Sequence, residues 1–188
     1  PEYLEDTAGV SLYALIDALS KKVQHGDLVV PGSSGACSEV TMQAFQSQKG
    51  VRVFNSEGLG PMGFGISSAL GACVASGKQR TICVDGDGGF AMNTQELETV
   101  NRLGLPIKFF VLDNGGYGSI RATQNAYFDS RYFASSPEGG LTMPNLDKVA
   151  NTYNIPFVEL SSNNEIDEKL DSCWRITGPS ICRVRVSP

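Results

Sequence analysis

Histidine is almost absent from this chain: His25 is the sole one. A metal site built from several imidazoles is excluded, and a Ser-His-Asp triad would rest on one residue at the polar end of an amphipathic segment. Cysteine occurs five times, an odd number, and no two are spaced C-x-x-C, which excludes a zinc ribbon and a thioredoxin-type redox pair. Cys73, Cys83 and Cys182 lie in apolar stretches and read as small core residues; the whole set reads as reduced thiols of a cytoplasmic protein. Basic residues are outnumbered, 15 against 20, for a net charge of −5, so nucleic acid is not expected as a partner. No apolar run approaches the ~18 residues of a membrane span, and neither a secretory leader nor a membrane is expected. Repeats, low-complexity tracts and linkers are also missing. The 188 residues, 41% of them hydrophobic, suit one domain over 1–188 with an adequate core.

What the chain has in excess is glycine, 21 residues or about 11%, against a usual ~7%. The glycines cluster where strands are expected to end. Leu12, Leu15, Ile16, Leu19 and Val23 share one helical face, so 8–24 reads as an amphipathic helix. Apolar runs at 28–30, 51–54, 80–85, 107–112, 157–160 and 180–186 read as strands, the fourth buried on both faces. Helices are expected over 36–46, 65–76, 93–103, 145–153 and 164–173. Asn93 with Glu96 has capping-box spacing, and Gly104 is a stop. Residues 125–143 show no clear period and read as a loop with some helix. This alternation predicts an α/β fold: three layers, a mostly parallel six-stranded sheet and helices on both faces.

In such sheets ligands bind beyond the carboxyl ends of the strands. Four of those ends carry unusual turns: Pro31 to Gly35, Ser56 to Gly65, Gly86 to Gly89 and Asp113 to Gly118. Glycine there bares backbone amides and lets a ligand approach the main chain, and each following helix start favours an anion, with phosphate the natural candidate. Asp87 and Asn114 sit at the ends of successive strands, so both side chains can converge. A carboxylate, an amide oxygen, a backbone carbonyl, phosphate oxygens and a water would make an octahedral Mg2+ site. The competing reading is that both residues cap turns.

Gly86-Asp87-Gly88, followed after 24 residues by Asp113-Asn114, resembles the thiamine-diphosphate motif Gly-Asp-Gly … Asn-Asn. Gly58 to Gly65 is similar to a glycine-rich stretch of acetolactate synthases. The resemblance covers about residues 8–188 and is to the C-terminal, diphosphate-binding domain of acetolactate synthase-like enzymes. It implies thiamine diphosphate and Mg2+ as cofactors. Asp87 and Asn114 would give the metal side-chain oxygens and Gly116 a carbonyl. Amides of Gly88 and Gly89, beside Gly86, would face the diphosphate, and Ser33 and Ser34 fall where polar diphosphate contacts lie. Met62 matches the apolar residue that bends the cofactor, and Gly60 the carbonyl that accepts from its aminopyrimidine. Aromatic residues after Asn114 (Tyr117, Tyr127, Phe128, Tyr132, Phe133) are candidates for a lid, for local packing or for a face buried against a partner.

The implied activity is decarboxylation of a 2-oxo acid, with or without transfer of the acyl carbanion to an acceptor. The chain departs from the pattern at Asp113, in place of the first Asn, and at Glu57, where a small residue is usual. The pyrimidine-binding domain and its glutamate are not in these residues. The resemblance therefore implies a partner domain or subunit, a homodimer or higher oligomer, no catalytic residue in this domain, and an isolated chain without turnover. A split-subunit decarboxylase of the phosphonopyruvate or sulfopyruvate type remains an alternative. So does a Mg2+-binding receiver-like signalling domain, although the early acid pair of such domains is missing. Gly58 to Gly63 also matches a dinucleotide fingerprint, but Gln79 and Arg80 stand where that fold needs an acid.

Overall fold

The computed structural model describes residues 9–32 and 35–186. Eight helices and six strands alternate through them. In chain order they are α1 (Leu12–Lys22), β1 (Leu28–Pro31), α2 (Ala36–Ala44), β2 (Arg52–Val53), α3 (Phe64–Ala75), β3 (Thr81–Gly86) and α4 (Asp87–Ala91). Then follow α5 (Glu96–Arg102), β4 (Ile107–Asp113), α6 (Gly118–Tyr127), α7 (Leu146–Thr152), β5 (Phe157–Leu160), α8 (Ile166–Arg175) and β6 (Ser180–Arg185). All strand pairings are parallel, in the order β2-β1-β3-β4-β6-β5. The expected six-stranded α/β fold is what forms.

Local chemistry explains three of the eight helix starts. Ser11 caps α1 by accepting from the Ala14 amide. Asn145 accepts from the amides of Asp147 and Lys148 at the start of α7. Ser162 and Glu165 form a capping box ahead of α8. Each supplies an acceptor to an amide that has no partner within the helix.

The sheet is buried on both faces. Val29, Ile82, Val84, Phe110, Leu112, Cys182 and Val184 pack under α1, α2 and α8. Val30, Cys83, Phe109, Val111 and Ile181 face α3, α5 and α7. Alternate side chains of one strand serve opposite layers, which is why 82–84 of β3 and 109–112 of β4 read as apolar runs. Lys108, buried in mid-sheet, donates to the carbonyls of Ile176 and Gly178, and burial pushes its amine down to about 8. All five cysteines are buried and none is in a disulfide. No helix among the described residues is long and apolar enough to cross a membrane.

One expectation needs correction. A separate short helix, α4, runs from Asp87, and the helix expected over 93–103 is shorter: α5 begins only at Glu96, with Gln95 before it. Asn93 is not its side-chain cap, because its Nδ2 donates to the Gly63 carbonyl at 2.9 Å. That bond ties the start of α3 to the end of α4. The loop with some helix expected over 125–143 is what forms, with a 3-10 turn at Pro137–Gly139. A ten-residue helix to which no expectation was attached, α6, runs into it. Its pattern escaped notice because α6 buries none of its residues.

Candidate functional site

After β1 the chain moves outward to β2 and then returns across β1 to β3. The connections leaving β1 and β3 diverge there, which opens a crevice at the carboxyl ends of the two strands. A cavity of about 560 Å³ occupies it, bounded by the starts of α1, α2, α4 and α6 and by the turn after β4. Of the residues singled out from sequence, Met62, Gly86, Asp87, Gly88, Gly89, Asn114, Gly116 and Tyr117 all line it. Gly60 does not; it sits two residues before Met62 with left-handed backbone, φ 52°. Ser33 and Ser34 lie outside the described residues, although Gly35 beside them borders the cavity.

Asp87 is the first residue of α4 and is buried. Its Oδ1 accepts from the Gly88 amide at 2.7 Å and its Oδ2 from the Gly116 amide at 2.9 Å. The second bond joins the turn after β3 to the turn after β4. The Gly88 amide thus serves the Asp87 carboxylate in this arrangement. Burial pushes the Asp87 carboxyl up to about 6, against the pull of the Gly88 and Gly116 amides, with the Asp113 charge adding to the rise. Asn114 Oδ1 is buried and has no hydrogen-bond partner. A buried amide oxygen without a donor is costly, and a cation is one partner that would satisfy it. The Gly116 carbonyl accepts from the Gly118 amide at 3.1 Å and keeps its second lone pair. One carboxylate, one orphaned amide oxygen and one carbonyl are the few hard oxygen donors a Mg2+ held largely by phosphates requires. Among the described residues no group of three or more His, Cys, Asp or Glu could hold a metal without such help.

Glycine at position 88 has a steric cause: a Cβ there would stand 2.5 Å from the Tyr117 ring and 3.5 Å from Met62 Cε. Met62 and Tyr117 therefore flank the bare backbone of α4 from two sides. Tyr117 is the one aromatic of the proposed lid that lines the cavity. Tyr127, Phe128 and Phe133 are exposed, Phe133 at 84%, and Tyr132 donates its hydroxyl to Asn125. A lid made by those four is not what the structure holds.

Asp113 finishes β4 outside the cavity lining. Its carboxylate lies 4.0 Å from Arg183 Nε. Arg183 also pairs with Glu159 at 2.7 Å, and Glu159 with Arg185 at 2.6 Å. The extra negative charge at the motif is thereby paired within the strand ends of β4, β5 and β6. Glu57 opens a short 3-10 turn, Glu57–Leu59.

Sequence reasoning missed Asp85, two residues before Asp87. It is 2% exposed, and its Oδ2 has no hydrogen-bond partner. Its Oδ1 accepts from the Gly86 amide at 2.9 Å. Burial raises its carboxyl to about 7, with the Asp87 charge adding. A Cβ on Gly32 would meet this carboxylate at 2.2 Å, on Gly65 at 2.3 Å and on Gly89 at 2.7 Å. Three glycines, on the turn after β1, at the start of α3 and in α4, thus make the hole that Asp85 fills. The signal available in the sequence was an acid at the end of an apolar strand, one place ahead of the glycine motif. Also missed was the start of α1, where Ser11 borders the cavity; Glu39 of α2 and Ser119 of α6 border it too.

A family model for the thiamine pyrophosphate enzyme C-terminal TPP binding domain matches residues 33–184. The acetolactate synthase isozyme 2 large subunit of Escherichia coli (strain K12) is 32% identical over 183 residues, covering 96% of this chain and 33% of the relative. A probable acetolactate synthase large subunit of Methanococcus aeolicus is 35% identical over 144 residues, 77% of this chain and 24% of the relative. The acetolactate synthase large subunit of Cyanidium caldarium is 35% identical over 125 residues, 66% of this chain and 21% of the relative. The chain therefore spans a third or less of the length of these relatives. With a parallel sheet opened at its switch point and the two motif turns bonded to each other there, the chain belongs to the thiamine pyrophosphate enzymes, as their C-terminal TPP-binding domain.

Proposed function

We propose that this chain holds the Mg2+-diphosphate half of thiamine diphosphate in an acetolactate synthase-like enzyme that decarboxylates a 2-oxo acid. One observation carries the reading: buried Asp87 and the partnerless Asn114 Oδ1 meet in one cavity, on turns joined by the Gly116–Asp87 bond. Asp87, Asn114 and the Gly116 carbonyl would hold the metal. The Gly89 amide, with Ser33 and Ser34, would face the diphosphate. Met62 would support the cofactor between its rings, and the Gly60 carbonyl would accept from its amino group. When bound, the cofactor supplies an electron sink for the carbanion left by decarboxylation. The chain's own part is to bind, to orient and, through Met62 and Tyr117, to exclude water from the diphosphate side.

The other half of the site is expected from a pyrimidine-binding domain or subunit in a dimer or larger assembly. Exposed Leu59, Met62, Met92, Phe128 and Phe133 give this domain apolar surface for such a contact. Acyl transfer to an acceptor, the identity of the 2-oxo acid and catalytic silence of the domain alone belong to the same proposal. So does a cytoplasmic location, which five cysteines free of disulfides favour. Calorimetric titration of thiamine diphosphate with Mg2+ tests it: the unmodified protein binds and Asp87→Ala does not. Equal binding by the two would remove the metal site from the reading.

A further inference from the structure

We infer that Arg121 is a positioning residue for the metal-bearing turn, an inference that rests on Asp87, Asn114 and Gly116 being the metal ligands. Arg121 is the fourth residue of α6 and hydrogen-bonds the main chain of that turn. Its Nη2 donates to the Asn114 carbonyl at 3.2 Å and its Nη1 to the Ser135 carbonyl at 3.3 Å. The Tyr117 amide donates to the same Ser135 carbonyl at 3.1 Å. Ser135 is fully buried, and its hydroxyl donates to Gln124 of α6. The carbonyl that anchors Arg121 is therefore fixed to the helix that carries Arg121.

Gly116 fits between these grips. Its φ is +143°, and a Cβ would stand 2.6 Å from the Ser135 carbonyl and 3.2 Å from Arg121 Nη1. Its amide reaches the other way, to Asp87 Oδ2 at 2.9 Å. Pinning the Asn114 carbonyl fixes the peptide between Asn114 and Gly115, and with it the backbone from which Asn114 Oδ1 projects. A planar guanidinium can bridge two carbonyls in this way; a lysine ammonium of shorter reach and no fork cannot hold both in one geometry.

The guanidinium is also a positive charge near a site for a divalent cation, so its two effects on metal affinity oppose each other. If it acts by charge alone, removing it tightens metal binding. If it acts by position, removing it weakens binding although a repulsive charge is gone. Residues that orient metal ligands typically change affinity by roughly 10- to 100-fold.

The experiment measures the Mg2+ requirement for thiamine diphosphate binding, by calorimetry on the whole protein, for the unmodified form, Arg121→Met, Arg121→Lys and Asp87→Ala. Melting temperature is recorded for each. Arg121→Met is expected to raise the apparent Kd for Mg2+ roughly tenfold or more at unchanged melting temperature, with Arg121→Lys between. If Arg121→Met fails to fold, Arg121→Gln, which keeps one donor, is read in its place with the same expectation. An unchanged or lower Kd in the folded variant overturns the inference. If Asp87→Ala binds as the unmodified protein does, the reading of the site falls instead, so the two failures are distinct.

Discussion

Asp87→Asn removes one buried charge and keeps the shape of the side chain. The carboxyl of Asp87 titrates at about 6 in the folded protein and at 3.8 as its ordinary value. Between those values the folded state holds a proton that the unfolded chain has released. Folding stability therefore falls as pH rises through that window, and is level below it and above it. A difference of about two units, at ~1.4 kcal/mol each, is roughly 3 kcal/mol. The variant also loses a hydrogen bond, because Oδ1 and Oδ2 each accept an amide. The informative quantity is thus the difference in slope, not in absolute stability. Urea denaturation of the metal-free protein from pH 4 to pH 7.5 is the assay. The unmodified protein is expected to lose about 3 kcal/mol more than Asp87→Asn across that range. Mg2+ with thiamine diphosphate at ~100 times Kd should then return about 2.7 kcal/mol at pH 7.5 to the unmodified protein alone. Parallel stability curves for the two proteins would refute the reasoning, since the carboxylate would then carry no burial penalty for a cation to relieve.

Two further substitutions test the packing that positions the site. Gly65→Ala puts a Cβ 2.3 Å from Asp85 Oδ2 and should cost about 1–3 kcal/mol in chemical denaturation. Asp85→Ala in the same chain should recover most of that cost, and strict additivity of the two would show that the glycine serves something else. Arg80→Met leaves Asp27, 5% exposed, without the guanidinium now 2.6 Å away. A loss of about 3 kcal/mol is expected, and a loss under about 1 kcal/mol would mark the pair as a surface contact.

How far the sequence could be read depended on what kind of physical signal each element carries. β3 and β4 announce themselves because both faces are covered, which makes 82–84 and 109–112 continuously apolar, and their ends were placed to within a residue. Asp87 and Asn114 were found because a strand end is where an α/β sheet exposes side chains to a ligand. α6 was missed for the opposite reason: no residue of it is buried, so it has no apolar stripe to read. The Asn93 cap was misread because Asn93 reaches 30 residues back to Gly63. Local spacing has no record of such a contact. The pairing of Asp113 with Arg183 was invisible likewise, since β6 inserts next to β4 only after β5 has been laid outside it.

The glycine excess shows how one composition signal can have two causes. A turn gripped by backbone and side chains from its own fold needs bare backbone, and Gly116 between Asp87, Arg121 and the Ser135 carbonyl fits that reason. Gly32, Gly65 and Gly89 have another: each leaves room for the Asp85 carboxylate, which a Cβ would overlap. Those three glycines sit on the turn after β1, at the start of α3 and in α4, the pieces that frame the switch-point crevice. A larger residue at any of them would push its turn away from β3. The acid that fills the gap accepts the Gly86 amide with one oxygen and leaves the other unpaired. A leucine there would fill the volume without that unpaired oxygen, but would give the Gly86 amide no acceptor. The sheet end thus keeps a destabilising group because the backbone of the Gly86-Asp87-Gly88 turn depends on it.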